Sequence, residues 1–96
     1  MKYFHRTHLP LAGVLAGARQ FFGASLTPGG QQPRRVEFAG SIGRISVTVQ
    51  SEGGHYTLVT VETDQVGESE ADKLAKRFLT QVHTMADPAH RPIGAY

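Results

Sequence analysis

GRISVTVQSEGGHYTLVTVETDQVGESEADKLAKRFLTQVHTM, residues 43–85, decides how this chain folds. Its opening alternates strictly. Ile45, Val47 and Val49 fall on one side of an extended strand, and Arg44, Ser46, Thr48 and Gln50 on the other. Such alternation describes a sheet with one face on a core and one wetter face. Glu52-Gly53-Gly54 follows and supplies the positive-φ residues that a tight hairpin needs. The returning strand, residues 55–63, puts Thr57, Val59 and Val61 on one face but Tyr56 and Leu58 on the other. A strand apolar on both sides predicts a cover for the second face: a ligand, the loop at residues 27–35, or another subunit. Ser69 and Asp72, three apart, resemble a capping box, and Glu68 and Glu70 add negative charge where a helix N-terminus favours it. From there Ala71, Leu74, Ala75, Phe78, Leu79, Val82 and Met85 form one apolar stripe, with Lys73, Lys76 and Arg77 opposite.

Working outward, residues 2–8 read as a short first strand. Pro10 suits the start of a helix, where a missing N–H costs nothing. Leu11, Val14, Leu15, Ala18, Phe21 and Phe22 recur at helical spacing, and Gly23 is a natural stop. Gly13 and Gly17 weaken this helix but allow a neighbouring backbone to press closely. Residues 27–35, Thr-Pro-Gly-Gly-Gln-Gln-Pro-Arg-Arg, read as the main loop. A short strand at 35–39 and a turn at 40–43 lead into the hairpin. The expected fold is therefore α+β: an antiparallel sheet of about four strands in the order β-α-β-β-β-α, its long C-terminal helix packed on one sheet face. Residues 1–86 form the single domain, and 87–96, with two prolines, a tail.

The chain has 96 residues, enough for one modest core. It has no cysteine, which excludes disulfides, zinc–thiolate sites and thiol nucleophiles and fits a reducing cytoplasm. Ten Lys and Arg against eight Asp and Glu give a net charge of +2. Residues 1–48 carry six of the basic residues and one acid, Glu37, so the first half is the basic one. The positive residues are scattered, which argues against nucleic acid as a partner. The apolar run at residues 9–18 is well short of the ~20 residues that span a bilayer. Lys2 and Arg6 before it and Ala16-Gly17-Ala18 after it imitate a signal peptide. Cleavage there would remove a strand and half a helix, so a folded helix is the preferred reading.

No motif with its own chemistry is present. His5 and His8 lie three apart and so on opposite faces of a strand, which argues against a shared metal. His55 sits beside the hairpin glycines, His83 near the end of the last helix and His90 in the tail. No serine lies in a nucleophile elbow. Arg34 and Arg35 could grip an anion in tandem, although they lead into a strand rather than the helix of a phosphate-binding loop. The candidate ligand-binding residues are thus Tyr3, His5, Arg34, Arg35, Tyr56 and Leu58, with no metal and no cofactor expected. The first functional expectation is a ligand-binding or scaffold domain, homodimeric, taking an apolar or weakly anionic small molecule. The alternative is a small cyclase- or isomerase-like enzyme, with Tyr3, His5 or Tyr56 as acid or base in a cleft between sheet and last helix.

The strand at residues 2–8, the following helix, Leu26-Thr27-Pro28, the hairpin and the final helix ADKLAKRFLTQVHTMAD together resemble the START-related helix-grip superfamily, which includes polyketide-cyclase-like proteins. The resemblance implies a curved sheet wrapped around the last helix with an apolar ligand between them. Helix-grip domains usually run longer, with extra strands between the first helix and the hairpin. A shorter sheet points instead to pairing with a second copy, as in the TATA-binding-protein-like architecture, which the element order also resembles.

Overall fold

The computed structural model describes residues 1–86; the expected tail at 87–96 lies outside them. The elements run β1 (Lys2–Thr7), α1 (Leu11–Gly23), β2 (Thr27–Gln32), β3 (Arg35–Gly40), β4 (Gly43–Glu52), β5 (Tyr56–Thr63) and α2 (Glu70–Ala86). The five strands form one antiparallel sheet in the order β1-β5-β4-β3-β2. After β1 the chain crosses the sheet as α1 and drops to the far edge. Four meandering strands then bring β5 back beside β1.

The sheet has five strands where about four were expected, because residues 27–32 are a strand rather than a loop. Its invisibility in the sequence has a physical cause. All six residues of β2 are exposed, so no burial pattern marks them. Pro28 is tolerated because an edge strand need not donate every N–H to a ladder, and the pairing with β3 shifts register between Pro28 and Gln31. Backbone hydrogen bonding alone makes this strand, with Pro33 and Arg34 in its turn.

Elsewhere the alternation reads through. Ile45, Val47 and Val49 of β4 and Val59 and Val61 of β5 are buried on the helix-covered face, joined by Val36 and Phe38 of β3. From α1 come Val14, Leu15, Ala18 and Phe22; from α2, Ala71, Ala75, Phe78 and Val82. Phe22 sits at the centre, its ring centroid 5.3 Å from Phe38 and 5.0 Å from Phe78, and Phe21 lies 5.7 Å from Phe78. Burying an aromatic side chain of this size contributes roughly 2–3 kcal/mol. The space between hairpin and α2 is therefore filled by packed rings, with Leu74 and Leu79 half-buried at its margin. These rings occupy much of the space where an acid–base cleft was expected.

The hairpin turn carries Gly53 and Gly54 at φ 63° and 73°, as its composition predicts. At the other end of β5, Ser69 caps α2: the Asp72 N–H donates to Ser69 Oγ at 3.1 Å. No described helix is long and apolar enough to cross a membrane.

Candidate functional site

Because side chains alternate across a strand, the helix-free face of the sheet is built from the even residues of β1, β4 and β5 and the odd residues of β3. Pairing sets them in rows. One row runs Phe4, Thr60, Thr48, Arg35, Gln32; the next runs Lys2, Glu62, Ser46, Glu37. Arg44 faces Ala39 at the margin, beside Asp64. Over the β2–β5 end of this face opens a groove of about 460 Å³, lined by Arg35, Glu37, Arg44, Ser46, Glu62 and Asp64 with Gly29 and Gly30 at its edge.

Its charges are partly tied down. Arg35 donates from one guanidinium nitrogen to Thr48 Oγ1 and from another to Glu37 Oε1, each at 3.3 Å. Asp64 Oδ1 accepts the Arg44 backbone N–H and the Gln65 side-chain amide, each at 2.9 Å. Those bonds, the backbone one foremost, hold the Asp64 carboxyl below its ordinary range. Gly43 makes this arrangement possible. Its φ is +125°, and a Cβ there would stand 2.6 Å from Asp64 Oδ1. Ser46 forms the floor, only 7% exposed although it lies on the face without helices. Its hydroxyl has no hydrogen-bond partner among the described residues.

The six residues expected to form a site do not converge. Tyr3 and His5 project to the helix-covered side, half-buried under α2. The Tyr3 hydroxyl donates to Asp72 Oδ1 at 2.8 Å, and Lys76 Nζ lies 5.6 Å from its ring centroid. Burial, then the hydrogen bond to Asp72, raises the Tyr3 pKa. His5 meets His83 of α2 edge-on at 5.9 Å, and burial, then the neighbouring imidazole, lowers its pKa. Arg34 is exposed in the β2–β3 turn, its carbonyl accepting the Val49 N–H at 2.9 Å. It does not join Arg35 as a tandem clamp, since only Arg35 lines the groove. Leu58 lies on the helix-free face opposite Arg6 and Gln50. Tyr56 is at the hairpin end, its ring 4.8 Å from His8.

Two features escaped sequence reading. The first is the groove's acidic wall. Glu37, Glu62 and Asp64 come from three stretches of chain, and only strand register brings them together; the alternation of residues 44–50 did show Arg44 and Ser46 on the polar face. The second is Asp72, which reads as a cap but is fully buried. It accepts from Tyr3, from Thr63 Oγ1 at 3.0 Å and from the Ser69 hydroxyl, tying β1, β5 and α2 together. Burial alone would raise this carboxyl. The bonds from Ser69, Tyr3 and Thr63, with the Met1 ammonium, outweigh it and hold the pKa below the usual value. Every hydroxyl around Asp72 is committed to the fold, so this cluster is structural.

Among the described residues no three or more His, Asp or Glu side chains stand where they could share a metal ion. No family model matches the chain, and no curated protein matches it.

Proposed function

We propose that this chain is a small ligand-binding module that works through the helix-free face of its sheet and associates as a homodimer. The groove over β2–β5 carries the reading. Its volume of about 460 Å³ falls in the range of small-molecule sites, and it offers polar groups aimed at one space. The resemblance to helix-grip domains would place a ligand on the opposite side, between sheet and α2. There Phe22, Phe38 and Phe78 pack against one another, which favours the helix-free face.

The homodimer is supported by the other half of that face. Phe4 is 62% exposed on the edge strand β1, and Leu58 lies one row away on β5, with Tyr56 beyond it. Such pairs on neighbouring strands are close enough to act as one apolar patch. β1 is a sheet edge, with no further strand beside it among the described residues. A second copy would cover patch and edge and leave the groove open. Native mass spectrometry of the purified chain tests both parts, since it reports copy number and any retained small molecule. A strict monomer at high micromolar concentration removes the homodimer. A groove whose amide signals answer to no compound of a small-molecule set removes the ligand.

A further inference from the structure

Five charged side chains line the groove: Arg35, Arg44, Glu37, Glu62 and Asp64. Arg35 and Glu37 form an ion pair, and Asp64 is satisfied by the Arg44 backbone N–H and the Gln65 amide. The Arg44 guanidinium and the Glu62 carboxylate make no ion pair within 4.0 Å among the described residues, although Arg44 acts on Asp64 at longer range. Lys2 stands opposite Glu62 in the strand register without closing to that distance. We infer that the groove takes a zwitterion of dipeptide size, its carboxylate at Arg44, its ammonium at Glu62 and its central amide over Ser46. The inference rests on the ligand-binding reading above and names its ligand class.

Spacing supports it. Ser46 is directly opposite Glu62, so Arg44, two residues along β4, is the diagonal neighbour of Glu62. Diagonal neighbours lie about 7–8 Å apart at their Cα atoms, and the long Arg and Glu side chains give their charged ends latitude about that separation. Two extended residues span about 7 Å, so a dipeptide places its two termini at that separation. Between them Ser46 offers a hydroxyl that can donate or accept, and no described residue uses it. Charge supports it too. The lining sums to two positive and three negative groups, so a simple anion would gain Arg44 but sit among carboxylates. A simple cation would meet the carboxylates but be repelled by Arg44 and Arg35. A molecule charged at both ends answers both.

The test is a ¹H–¹⁵N titration of the full chain with alanyl-alanine, its N-acetyl derivative and its C-terminal amide. Alanyl-alanine is expected to move the Arg44, Ser46 and Glu62 signals, and each blocked form to bind at least tenfold more weakly. Glu62→Gln should erase the preference over the N-acetyl form, and Arg44→Gln the preference over the amide, with the circular dichroism of both variants unchanged. Equal binding of all three compounds, or silence of those signals to alanyl-alanine, overturns the zwitterion. If acetate or methylammonium alone moves the same signals as strongly, the groove remains a ligand site and only the zwitterion fails.

Discussion

Asp72 shows how much one side chain can be asked to do. As a cap it would satisfy the start of α2 alone; buried, it also anchors Tyr3 of β1 and Thr63 of β5. Asp72→Asn keeps the shape but weakens bonds made to a charge, and the expected loss is about 2 kcal/mol in urea unfolding at pH 7. The sign of its pH dependence follows from a folded-state pKa below the ordinary 3.8. Its stabilisation is present above 3.8 and is lost as pH falls through the folded value, so the variant should show a flatter stability curve as pH drops below 3.8. His5 acts in a different window. Its folded pKa lies below 6.5, so the unfolded chain takes up the proton first, and stability falls as pH drops from above 6.5 toward the folded value. His5→Gln should shrink the difference between melting temperatures at pH 7.5 and pH 5.5; an undiminished difference would assign it to other groups. At Gly43 the backbone itself is the constraint. With φ at +125° and Asp64 against it, Gly43→Ala should cost roughly 1–3 kcal/mol and shift the Asp64 and Gln65 amide signals.

At the scale of elements, α1 formed where its periodicity predicts, whereas the part played by its glycines and the strand β2 departed from expectation. The glycines of α1 suggest close backbone approach. At Gly17, however, a Cβ would meet Met85 Cε of α2 at 3.4 Å, an ordinary contact with a flexible side chain. Gly17 is buried, its helix is regular, and nothing there requires the missing side chain. Gly17→Ala should therefore stabilise the fold by about 0.5–1 kcal/mol in thermal or urea unfolding; destabilisation would show that Met85 cannot move aside. Phe78 marks the other extreme. It is fully buried between α1 and the sheet, and Phe78→Ala should remove about 3–5 kcal/mol, a large share of the stability of a domain this small. β2 carries no burial and should be the first strand to exchange its amide hydrogens.

For the molecule as a whole, the helix layer closes one face of the sheet and leaves the other without a helix among the described residues. Phe4→Lys should weaken self-association in light scattering without lowering the unfolding midpoint at low protein concentration, because Phe4 touches no core. The division between what could be read and what could not follows from range. Periodicity and capping are local, so residues 43–85 by themselves determined the hairpin, its two faces, the last helix and the side on which that helix packs. Tyr56 and Leu58 also gave the second face its apolar members, and Tyr56 is 44% exposed there. Strand register is non-local. It places Glu37, Ser46 and Glu62 in one row and Asp64 beside Arg44, and no spacing along the chain encodes that row. Burial is non-local too: it made Asp72 an anchor, sent Tyr3 and His5 beneath α2, and filled with phenylalanine the space where a cleft was expected. Only tertiary structure decided that Arg35 alone of the six expected residues reaches the groove, because strands far apart in the chain must pair before their side chains can meet.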